Sequence, residues 1–147
     1  MTIREVKTEV QKLMFQLDSP SILQKMVLAG FTDSKKRIFT DGKKTDETPI
    51  GTYADSTKKR KEKKGRLTSS KINLRDTETL TDSYFAEART KDKWVTGFAN
   101  VSREGKLDNG QLVDVLEEKY GDIFAFTNME LSTMEKIRDE NYEQIFK

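Results

Sequence analysis

The chain has 147 residues, of which 34% are hydrophobic and 35% charged, with a net charge of +2 and a mean hydropathy of −0.77. The length fits one domain, but so little apolar material predicts a small core, completed against copies of itself or against a partner. Neither Cys nor His occurs, which excludes disulfides and thiolate metal sites and removes the commonest general base and metal ligand.

The opening residues, Met1–Thr2–Ile3–Arg4–Glu5, read as a charged helix start rather than a secretory leader. The longest apolar run, residues 26–29, falls far short of the roughly 20 residues a spanning helix needs. Synthesis and assembly in a cytoplasm are therefore expected.

Ile3, Val6, Val10, Leu13, Met14 and Leu17 recur at helical spacing, predicting an amphipathic helix over residues 3–17. Asp18–Ser19–Pro20 breaks it, with Ser19 as N-cap and Pro20 at a first helical position that needs no N–H. A second helix is expected from Pro20 to Phe39, because Leu23, Val27, Phe31, Ser34 and Ile38 keep one stripe in phase. Gly30 lies inside it and either ends it or permits close approach to a neighbour. Asp41–Gly42 closes the helix.

Residues 43–71 lack apolar periodicity and read as a long basic loop, flexible or functional. Thr77 to Tyr84 predicts a short capped turn into a strand over 85–89, followed by a polar turn and a second strand over 94–101. Asp108–Asn109–Gly110 introduces a helix over 111–119 carrying Leu112, Val115 and Leu116 on one face, with Gly121 as left-handed cap. Residues 123–127 suit a third strand or an extended segment. The pair Ser132 and Glu135 forms a capping-box pattern, which predicts a last helix over 133–146 with Met134, Ile137, Ile145 and Phe146 on its apolar side. The fold class is thus α+β: N-terminal helices on a small antiparallel sheet, a basic loop and a C-terminal helix.

One candidate site stands out. Lys58, Lys59, Arg60, Lys61, Lys63, Lys64 and Arg66 crowd the middle of the chain, a pattern suited to phosphate backbones or to a neighbouring subunit. No aromatics are interleaved for base stacking, and a simply solvated run is the other reading. Residues 107–147 carry the opposite sign, with ten acids against four bases and a net of −6. Opposite charges at separate places in one subunit suit head-to-tail contacts between copies, which can close a ring. No catalytic, cofactor or metal residues are assigned: Gly42–Lys43–Lys44–Thr45 lacks the upstream glycine of a phosphate loop, and Asp108–Asn109–Gly110 lacks the carboxylates of a calcium loop. A nuclease built on Asp76, Asp82, Glu87 and a lysine has only generic spacing.

An ordered series of short motifs adds a resemblance. Arg37–Ile38–Phe39 leads into Asp41–Gly42, then Pro49–Ile50–Gly51–Thr52–Tyr53, the basic run, Thr77–Glu78–Thr79–Leu80–Thr81–Asp82–Ser83, Tyr120–Gly121 ahead of Phe124–Ala125–Phe126, and Leu131–Ser132. In this order the series resembles the phage virion-morphogenesis (tail-completion) proteins of the Mu-like G family. Glu78 replaces the usual glycine, and the prolines and arginine usual near 123–126 are missing. The resemblance implies a non-enzymatic virion protein that needs no cofactor. It implies a head–tail connector or tail-completion component, assembled in the host cytoplasm into a ring with itself and with portal, neck or tail proteins. The basic run would then contact genomic DNA or an adjacent ring. A small DNA-binding accessory protein using the same run is the alternative.

Overall fold

The computed structural model describes residues 20–147 apart from 76–78, 92 and 102–104; the helix expected over 3–17 and the Ser19 cap lie outside the described residues. Helix α1 (Pro20–Phe39) is continuous through Gly30. Helix α2 (Asp55–Lys63) and the one-turn helix α3 (Thr79–Ser83) follow. Strands β1 (Tyr84–Thr90) and β2 (Lys93–Phe98) form the sheet, and helices α4 (Asn109–Tyr120) and α5 (Asn128–Ile145) complete the order. An α+β architecture with a C-terminal helix results.

α1 and α5 run antiparallel along each other. Three contacts mark the register: Lys25 with Asn141, Gly30 with Met134 and Arg37 with Glu130. A Cβ on Gly30 would sit 2.6 Å from the Met134 sulfur, so the glycine serves close helix approach and does not end the helix. The core gathers at the other end of α1, where Ile38 and Phe39 meet Ile50, Ile72, Leu80, Tyr84 and Ile123. Rings extend it, with Tyr84 at 4.8 Å from both Phe31 and Phe98, and Phe98 at 4.9 Å from Phe124. Such offset and edge-on pairs add to the burial itself.

The sheet is a two-stranded antiparallel ribbon pairing Tyr84 with Phe98 and Ala88 with Trp94, with an irregularity between Ala88 and Thr90. Burial falls off along β1 from Tyr84 to an exposed outer half, so the ribbon is held at its base. Asn109, fully buried, fixes that base from the first turn of α4 by donating to Ser83 Oγ (2.8 Å) and to the Ala99 carbonyl (2.9 Å). Asp108 and Gln111 form the capping box that starts α4.

Three expectations change. The segment 43–71 is not one loop: it contains α2, flanked by bridges pairing Lys43 with Pro49 and Thr52 with Lys71. Its turn at Gly42 (φ 64°) brings the backbone so near the Ile72 carbonyl that a Cβ would lie 2.3 Å from that oxygen, which explains glycine there. Residues 123–127 add no third strand; Thr127 is instead the N-cap of α5. The last helix therefore begins before Ser132, and its capping box is Thr127 with Glu130. Both Thr127–Glu130 and Ser132–Glu135 satisfy the same spacing rule, and tertiary contacts select the first.

Candidate interaction surface

The Thr127–Glu130 cap is engaged by Arg37, which the sequence offered as the opening of a motif series and not as a structural anchor. Its Nε donates to Glu130 Oε1 (2.7 Å) and its Nη2 to Glu130 Oε2 (3.4 Å). Nη1 donates to the carbonyls of Lys43 (3.1 Å) and Ile123 (2.9 Å), and Nη2 also donates to the Ala125 carbonyl (2.8 Å). All five guanidinium N–H groups thus have acceptors. Glu130 Oε2 in turn accepts from the Thr127 backbone N–H at 2.8 Å. Arginine 37 and Glu130 are 6% and 4% exposed, so this is a saturated structural clasp joining α1, the 43–49 turn, the 121–127 segment and α5. It orients the surfaces described next.

The basic residues singled out from sequence do not form one patch. Lys61 is 2% exposed; its Nζ donates to the Arg75 carbonyl at 2.7 Å and lies 4.7 Å from the centre of the Tyr53 ring. It belongs to the fold, pinning α2 against residues 53 and 75. Lys58 is half-buried and pairs with Asp55 at 3.4 Å. Lys59, Arg60, Lys63, Lys64 and Arg66 are exposed. Lys59 and Lys63 are four residues apart, one above the other on the helix face turned away from Lys61. Helix α2 carries five cations against two acids.

Near α2 lies an open apolar groove of about 730 Å³. Tyr53, Ile72 and Leu80 line one side, and Leu112, Leu116 and Tyr120 of α4 line the other. At its mouth sit Lys106 and Leu107, the latter 46% exposed. Lys119 flanks the α4 wall, its Nζ 5.0 Å from the centre of the Tyr120 ring. Asp114 and Glu118 fall on the opposite side of α4, because at 100° per residue they lie away from the 112–116–120 stripe. The sequence placed Leu112, Val115 and Leu116 on one apolar face; Leu112 and Leu116 line the groove, whereas Val115 is exposed, and the groove itself was not foreseen.

The far end of α5 has the contrary character. The helix carries Glu130, Glu135, Asp139, Glu140 and Glu143 against Lys136 and Arg138, and Phe146 beyond its last turn is 63% exposed. Lys136–Glu140 (3.8 Å) and Arg138–Asp139 (2.9 Å) are surface pairs, worth little individually.

Asp82 is exposed and Glu87 pairs with Arg89 at 2.8 Å, while Asp76 lies outside the described residues. Among the described residues no group of three or more acids is placed to hold a metal ion, and no helix is long and apolar enough to cross a membrane. No family model, no curated protein and no solved structure matches the chain.

Proposed function

We propose that this chain is a structural subunit of a bacteriophage or prophage virion, a head–tail connector or tail-completion component that acts without catalysis by oligomerising into a ring. The observation that carries this reading is polarity within one subunit. A cationic helix near an open apolar groove occupies one region, and an acidic helix ending in an exposed phenylalanine points from another. Unlike surfaces on identical copies make heterologous contacts, which close into rings when the rotation permits. The motif order from Arg37 to Ser132 supplies the phage assignment.

The test is assembly. Light scattering and negative-stain microscopy of the purified chain, alone and with a portal or tail partner, should reveal rings. Labelled particles should carry the protein at the head–tail junction. Label distributed elsewhere, or absent from particles, sinks the assignment.

A second reading, a DNA-binding accessory protein, is favoured by the exposed row Lys59 and Lys63 with Lys64 and Arg66 nearby. It requires DNA affinity that falls with salt, with a log–log slope of about −0.9 for each phosphate contacted. Charge reversal at Lys59 and Lys63 should abolish that binding without unfolding the chain; salt-insensitive or unaltered binding rejects it.

A further inference from the structure

We infer that a cavity between the C-terminal half of α1 and the one-turn helix α3 binds a phosphate group, held by Lys35, Lys36, Thr40 and Thr81. The cavity has a volume of about 270 Å³ and shares no lining residue with the apolar groove. The site depends on neither reading of the function given above.

Its charge is of one sign. Among the described residues three cations, Lys35, Lys36 and Arg75, line the cavity, and no acid does. Neither lysine makes an ion pair: Lys35 lies 6.0 Å from the centre of the Phe31 ring. Lys36 also borders the neighbouring cavity that holds Asp33 and Asp41, yet pairs with neither. A helix C-terminus is itself electronegative. Here the Thr40 and Asp41 backbone N–H groups both donate to the Lys36 carbonyl, at 2.9 and 3.0 Å, so that acceptor is already engaged.

Dipole compensation would account for the lysines but not for Thr81. That residue is 8% exposed, and its hydroxyl is the one buried side-chain polar atom without a hydrogen-bond partner among the described residues. Buried polar groups are otherwise almost always bonded. Threonine has staggered χ1 alternatives, so one bond rotation can present this hydroxyl to a cavity occupant. Thr40, exposed at the rim, supplies a second hydroxyl. Ammonium and hydroxyl donors converging from two elements suit a tetrahedral anion with oxygens on every side. Such a group comes either as a free phosphate or as the backbone of a nucleic acid.

Inorganic phosphate and a short DNA duplex are the two probes, with chloride at matched ionic strength as the control. In NMR spectra of the intact chain, a probe that binds should shift the amides of residues 35, 36, 40 and 81 saturably, while chloride leaves them in place. Thr81→Val removes only the hydroxyl. It should fold at least as stably, since an unpaired buried group is lost, yet bind the probe about 5-fold more weakly. Lys35→Gln combined with Lys36→Gln should abolish the shifts with an unchanged circular dichroism spectrum. A duplex that moves these amides, and whose log–log salt slope falls by about 1.8 in the double variant, identifies a backbone phosphate, two contacts at roughly 0.9 each. Shifts with inorganic phosphate alone identify a free phosphate. Amides that neither probe moves overturn the inference. So do shifts spread evenly over the surface lysines, Lys59 and Lys63 included, and a Thr81→Val chain that binds as tightly as its parent.

Discussion

The Arg37 clasp and the β-ribbon are built on contrary plans. The clasp ties residues 93 positions apart in sequence with every guanidinium donor engaged, so its parts stand or fall together. The ribbon joins neighbours in the chain, and only its Tyr84–Phe98 end is fixed in the core. A two-stranded hairpin is marginal by itself. The molecule therefore concentrates its specificity in one buried polar knot and leaves a projecting element dependent on two rings.

Removing the clasp should have the largest effect. Arg37→Met leaves Glu130 buried without its cation and takes the guanidinium donor from the Lys43 and Ile123 carbonyls, while the Ala125 carbonyl keeps Thr45 Oγ1. Breaking a buried pair this way costs about 3–5 kcal/mol, which urea denaturation would measure. A loss below about 1 kcal/mol would show that the clasp is not central. Phe98→Ala should cost less, about 2–3 kcal/mol for a half-buried ring. Hydrogen exchange should then lose ribbon protection first and leave α1 and α5 protected; uniform loss would erase the contrast between the regions.

The smallest effect concerns Tyr84, where ribbon and helix meet. Ser34 donates to the Phe31 carbonyl, leaving the Tyr84 hydroxyl to donate to Ser34 Oγ at 3.1 Å. Burial pushes the phenol above its ordinary 10.0. A folded value above the unfolded one means the folded state holds the proton more tightly. The contribution is complete below about pH 10. It is lost as pH rises through the raised folded value. Tyr84→Phe should flatten this alkaline limb and cost about 1 kcal/mol at neutral pH through the lost hydrogen bond. An unchanged limb would assign it to other groups.

Local pattern made much of this readable. The stripe from Leu23 to Ile38 announced α1, Asp108 announced the start of α4, and the β-rich runs placed both strands within a few residues. What escaped was decided at a distance. Helix α2 has almost no apolar residue, and Lys61 secures it by covering Tyr53, a contact no periodicity encodes. The start of α5 was read at Ser132, whereas Thr127–Glu130 fits the same spacing and is the pair that Arg37 engages. The α4 stripe was legible, but its facing wall comes from Tyr53, Ile72 and Leu80, brought there by the turn at Gly42.

The antiparallel run of α1 against α5 has a mechanical consequence. Because Lys25 meets Asn141 and Arg37 meets Glu130, residues 20 and 145 lie at the same pole of the helix pair. Tension applied through both would peel the two helices apart turn by turn instead of sliding them past each other. Resistance would stay low until the peeling front reached the arginine, and then rise abruptly.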